Sequence, residues 1–173
     1  MQHLSNQIHK FGVSLVQKYS LLENRGFEER KGRVIPHWIE HNNPAMGKTS
    51  FYPCMIFVKP HIHLFETQVT GRNIVALARV REKGVELSKP VIIIFVDVKS
   101  GLIYADFLGA MMKPKRLGAL CFPKDKMYHG HNIRYFALDH LHVLFQMNSK
   151  DITVLKQMHL NNGTNENQKT IFE

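Results

Sequence analysis

Residues 51–73 read FYPCMIFVKPHIHLFETQVTGRN, and the way this stretch divides sets the architecture around it. Residues 51–59 and 63–69 are rich in aromatic and branched side chains, and Pro60-His61 separates them. Proline has no N–H to give to a ladder, so the two halves read as separate strands, adjacent and antiparallel. Downstream, residues 73–87 carry Ile74, Leu77, Ala78, Arg81 and Val85 among good helix formers, and Ser88-Lys89-Pro90 ends that helix. The run Val-Ile-Ile-Ile-Phe-Val at 91–96 has no polar face, so both sides of a sheet must cover it and it is expected as a central buried strand. Lys99-Ser100-Gly101 turns the chain into a paired strand at 102–108.

Upstream, Ile8, Phe11, Leu15, Val16, Tyr19 and Leu22 recur at steps of three and four. The spacing predicts an amphipathic helix over 4–22, closed by Asn24-Arg25-Gly26 with glycine in the left-handed conformation. Residues 27–30 and 33–38 read as extended pieces around Gly32, and 41–48 as a loop. Past residue 108 the pattern weakens. Residues 109–132 are rich in Lys, Pro, Gly and Met with no period, 135–147 return to apolar content, and 152–160 form a short terminal element. The expected fold class is α/β, a central mixed sheet flanked by helices in the order α-β-β-β-α-β. Residues 1–160 make one domain, and 161–173, mostly polar, a frayed tail.

The chain has 173 residues, enough for one sizeable core. An apolar share of 44% against 21% charged excludes a wholly disordered protein. The longest apolar run, 91–96, falls far short of the roughly 20 residues a membrane span needs. The first residues, MQHLSNQIHK, lack the charged-then-apolar build of a secretory signal, and two cysteines 67 positions apart cannot staple a disulfide scaffold. These features predict an intracellular protein of the cytoplasm or nucleoid with no membrane partner. Twenty-three Lys and Arg against 14 Asp and Glu leave a charge of +9, which suits a polyanion because each cation set against a phosphate releases a counterion.

Within 51–73, Pro53-Cys54 opens one strand and Glu66-Thr67-Gln68 lies on the next. This arrangement resembles the core of the PD-(D/E)xK, or restriction-endonuclease-like, nucleases, in which Pro-Asp opens a strand and an acid, any residue and lysine lie on its neighbour. The resemblance extends over about residues 4–108, with the following helix and the strand through Phe95 in the order that superfamily uses. It implies metal-dependent hydrolysis of DNA. Magnesium, or manganese in its place, takes hard oxygen ligands, and two neighbouring strands can aim carboxylates at one ion. Residues two apart on a strand share a face, so Glu66 and Gln68 would point into one site, Glu66 as metal ligand and Gln68 orienting the attacking water.

The chain departs from that pattern at two positions. Cys54 stands where the metal-binding Asp belongs, and a thiol is a soft ligand ill suited to magnesium; Gln68 replaces the lysine. Either Glu40 or Asp106 enters the site from elsewhere, or the chain keeps the fold as a catalytically inactive module binding nucleic acid or protein. Cys54 is otherwise read as a small buried apolar residue. Arg72, Arg79 and Lys83, with Arg81, are expected to hold phosphates beside the site, and Lys113, Lys115 and Arg116, with Lys124 and Lys126, to do so from the basic loop. A solvated helix face accounts equally well for the first group. Tyr128, Tyr135 and Phe136 are candidates to stack on unpaired bases or to join the core. The pairs His61/His63, His129/His131 and His140/His142 offer a rival zinc or iron geometry, though no HExxH accompanies them. The expected partner is nucleic acid, DNA before RNA, with a second copy of the chain as the other candidate.

Overall fold

The apolar run that starts at Val91 is buried along its whole length: all six residues of the strand Ile92–Asp97 are inaccessible, as a segment without a polar face requires. The computed structural model describes residues 2–33, 35–43, 47–61, 89–108, 112–113, 135–136 and 141–162. In chain order the elements are α1 (Gln2–Leu22), β1 (Phe27–Glu29), β2 (His37–Asn43), β3 (Lys48–Lys59), β4 (Ile92–Asp97), β5 (Leu102–Phe107), β6 (Met112–Lys113), β7 (Tyr135–Phe136), β8 (His142–Gln146) and α2 (Ser149–Asn162). Six strands form one mixed sheet, ordered β1-β2-β3-β4-β5-β8, and β6 and β7 form a separate two-residue ladder. The chain is an α/β protein with two described helices against its sheet, and neither is long and apolar enough to cross a membrane.

Register explains the layering. β3 and β4 are parallel from Cys54↔Ile92 to Lys59↔Asp97, while β4 meets β5 antiparallel from Ile92↔Phe107 to Asp97↔Leu102. Parallel neighbours need a crossover connection of a dozen or more residues, and residues 60–91 supply it. Strand alternation then sends Cys54, Ile56, Ile92, Ile94, Val96, Ile103 and Ala105 to one face, where they join Leu15, Val16 and Tyr19 of α1 and Leu155 of α2 in a single core cluster. On the other face Ile93 and Phe95 are also fully buried.

Several local details depart from the sequence expectations. Gly26 does not close α1. Asn24 does, at φ 54°, with Arg25 N donating to Ser20 O (2.8 Å) and Asn24 N to Leu21 O (3.2 Å), the paired bonds of a Schellman ending. Gly26 serves packing instead, because a Cβ there would strike the Phe51 ring. The predicted loop at 41–48 is shorter. β2 runs on to Asn43 and β3 starts at Lys48, in a seven-pair ladder that includes His41↔Ser50. α2 begins at Ser149, three residues before the expected 152. Within the predicted loop 109–132, β6 pairs with β7. The strand expected at 63–69, the helix at 73–87 and residues 163–173 of the expected tail lie outside the described residues, while the tail's first two residues, Asn161 and Asn162, extend α2. Among the described residues, β3 is bordered by β2 along 48–54 and by β4 along 54–59.

The early start of α2 has a cause in α1. Asn148 caps α2, its Oδ1 accepting from Asp151 N at 2.8 Å. In a capping box the third helical residue returns the favour to the cap's own N–H. Here a phenol stands between them: Asn148 N donates to the Tyr19 hydroxyl (2.8 Å), which donates to Asp151 Oδ2 (2.6 Å). Lys18 Nζ donates to the same oxygen at 2.8 Å, and Tyr19 stacks on Phe145 with centroids 6.2 Å apart. Burial pushes the Asp151 carboxyl up, but the bonds from Lys18 and Tyr19 outweigh it and hold the group below its ordinary value.

Candidate functional site

Open α/β sheets bind ligands beyond the carboxyl ends of their parallel strands, and here β3 and β4 end together. Both apolar strands finish on a charge: Lys59 lies in register with Asp97. The Lys59 ammonium sits 5.9 Å from the Phe57 ring centroid, and Phe57 stacks on Phe95 at 6.0 Å, so the lysine belongs to the face turned away from α1. Burial lowers the Lys59 pKa from its ordinary value, since a low-dielectric setting disfavours the charged amine. Asp97 is only 1% exposed. Its Oδ1 accepts from Lys99 N (3.2 Å) and its Oδ2 from the Ser100 hydroxyl (3.0 Å), and His61 Nδ1 lies 4.0 Å from Oδ2. Amine, imidazole, carboxylate and hydroxyl thus gather at one sheet end, a set able to grip an anion or pass a proton. Among the described residues no three His, Cys, Asp or Glu side chains converge as a metal site.

Cys54 lies elsewhere. It is 1% exposed, inside the cluster beneath α1, five positions from Lys59 and so on the opposite face of β3. Burial pushes its thiol far up, which keeps it protonated and withholds the thiolate a metal would need. Asp106 on β5 is 7% exposed, and its Oδ1 accepts from Phe107 N at 2.7 Å. Glu40 on β2 borders a polar cavity of about 200 Å³ at the end of α1, with Glu23, Arg25 and His41. Because β3 and β4 stand between β2 and β5, Glu40 and Asp106 do not meet at one point of the sheet. Glu66, Gln68, Arg72, Arg79, Lys83, Lys115 and Arg116 lie outside the described residues. Lys113 is placed on β6, in register with Tyr135. Of the histidine pairs, only His61 and His142 fall within the described chain.

A second polar group was not legible at all. His41, 9% exposed, receives a bond on Nδ1 from an Arg25 guanidinium nitrogen at 3.1 Å. Arginine has only donors, so Nδ1 accepts and the ring proton resides on Nε2. The same arginine nitrogen donates to Glu40 O at 3.0 Å. His41 also stacks on His142 with centroids 5.2 Å apart and meets the Phe107 edge at 5.6 Å. Burial, then His142 and Arg25, bring its pKa down to about 4, so it is neutral at pH 7. The signal that could have revealed the β3/β4 end was present: two apolar strands each stop at a charged residue before a turn. No comparable signal marked His41, which sits among turn-forming residues. Comparison with protein-family models, curated proteins and solved structures finds no match to this chain.

Proposed function

We propose that this chain binds nucleic acid, DNA in the first place, on a restriction-endonuclease-like core. The observation that carries the reading is the element order: a helix, three antiparallel strands and, after a connection of residues 60–91, a fourth strand parallel to the third. This order supports the core, while it sets Pro53-Cys54 in the middle of the third strand and Glu66 and Gln68 beyond it, so it lends the motif positions no support. The charge of +9 supports a polyanionic partner. Hydrolysis on this reading would draw on Mg²⁺ or Mn²⁺, which Glu66 would hold, with Gln68 orienting the water. The enclosure of Cys54 in the apolar core weighs toward the binding module over the hydrolase, because β3 then offers no ligand at the position where the nucleases carry their aspartate.

Two measurements test the reading. Binding of a labelled DNA duplex should weaken steeply as salt rises, and absence of binding at 50 mM salt would end the proposal. Plasmid nicking with Mg²⁺ or Mn²⁺, compared between the wild type and Glu66→Ala, addresses the chemistry. Metal-dependent cutting abolished by the substitution restores the hydrolase, whereas equal cutting in both proteins removes Glu66 from the mechanism.

A further inference from the structure

The turn between β1 and β2 carries Arg30-Lys31-Gly32-Arg33, three cations in four residues. Its base is firmly built. Arg30 N donates to Pro36 O at 2.6 Å, and the Trp38 indole N–H donates to Ile35 O at 3.1 Å, with Ile35 and Trp38 both buried. The Arg30 guanidinium lies 3.9 Å from the Trp38 ring centroid, while its Nε donates to Glu28 Oε1 at 2.6 Å. Stacking and the ion pair fix the plane of the guanidinium. Its two terminal amino groups have no hydrogen-bond partner among the described residues and the side chain is 37% exposed, so the guanidinium keeps donors for an outside acceptor.

The tip itself projects. Lys31, Gly32 and Arg33 are exposed, Gly32 takes φ 74°, and no described atom lies within 4 Å of where its Cβ would stand. Glu28 answers only Arg30, and Glu29 faces His37 across the ladder. Neither Lys31 nor Arg33 forms an ion pair among the described residues, and with Arg30 the three cations outnumber the two neighbouring carboxylates. A row of phosphates would supply the counter-charge that the turn lacks.

We infer that the β1–β2 turn is a phosphate-gripping arm: Lys31 and Arg33 each engage a backbone phosphate of bound nucleic acid, and the oriented fork of Arg30 engages a third. The inference rests on the nucleic-acid reading above and gives that reading a surface. It assigns positioning rather than sequence recognition to the arm, since phosphate contacts carry no base information.

The test is fluorescence anisotropy with a labelled 20-base-pair duplex between 50 and 200 mM KCl, using the full chain. Lys31→Ala/Arg33→Ala should lower affinity about tenfold or more at 100 mM salt. It should also flatten the slope of log affinity against log salt by about 2, near 0.9 for each lost phosphate contact. A control, Lys10→Ala/Lys150→Ala, removes two exposed charges from α1 and from α2 and should change both quantities far less. Equal losses in the two double variants, or an unchanged slope in the first, would overturn the arm while leaving nucleic-acid binding in place. A wild-type protein with no affinity for the duplex would remove both readings together. Circular dichroism melts matching the wild type establish that the exposed substitutions leave the fold intact.

Discussion

Tyr19→Phe removes one oxygen and tests how the two helices are joined. The ring stays, so the stack on Phe145 is kept, but Asn148 N loses its acceptor and Asp151 loses a donor 2.6 Å away. A hydrogen bond to a buried charged group contributes about 1.5–3 kcal/mol and a neutral one about 1. Lys18 still reaches Asp151, though its side chain is 46% exposed and screened by water. Allowing for that residual partner, the expected loss is about 2–3 kcal/mol. In urea this corresponds to a midpoint lower by about 1 M, with the slope unchanged. The pH dependence has a definite sign. Asp151 has its pKa depressed below 3.8 in the folded chain, so its contribution is present above pH 3.8 and fades as pH falls through the lower folded value. Burial and the bond to Asp151 raise the Tyr19 pKa above 10, so its contribution is full below pH 10 and fades as pH climbs through the higher folded value. The variant should lose the alkaline component entirely and part of the acid one. Urea titrations at pH 3, 7 and 10.5, with Asp151→Asn and the double variant to complete a cycle, measure all of this. A Tyr19→Phe protein within about 0.5 kcal/mol of wild type at pH 7, or strictly additive effects in the cycle, would refute the phenol-bridged cap.

Two further outcomes follow from the buried groups. Cys54→Asp should destabilise the fold by about 3 kcal/mol or more, because it places a carboxylate in the apolar cluster beneath α1; a stable variant with new metal-dependent nicking would show instead that position 54 opens onto a site. His41, with its pKa at about 4, should titrate by NMR near pH 4 rather than 6.5. Since the unfolded chain protonates first, stability should decline as pH falls from about 6.5 and level off near 4, and an ordinary midpoint for this ring would disprove its burial between Arg25 and His142.

The parts of the fold that were legible are those where local pattern and final packing agree. The 91–96 run, its turn at Gly101 and the face of α1 each carry one signal, hydrophobic period or glycine, with no competitor. The β2–β3 arm was shortened because His41-Asn42-Asn43 has turn composition, yet the ladder to β3 and the burial of His41 override it. Asn24 and Gly26 both tolerate the left-handed region, so composition alone does not choose between them, and the close approach of Phe51 assigns them separate tasks. The pairing of β5 with β8 joins Tyr104 to Val143, a distance along the chain that no local pattern encodes. As for the site, the sequence shows a charge closing each of two apolar strands, but only the parallel register brings Lys59 and Asp97 side by side.

The parallel register also bears on how the chain reaches this state. β2–β3 and β4–β5 are hairpins that can zip locally, whereas Cys54 finds Ile92 only after 38 intervening steps of chain are drawn in. Non-local pairing of this kind slows folding. Until it is complete, the Ile-rich strand of residues 92–97 has one bare edge and no charge before Asp97, the profile of a segment prone to cross-β association. Expression at low temperature or with chaperone support should accordingly raise the yield of folded protein more than any surface substitution.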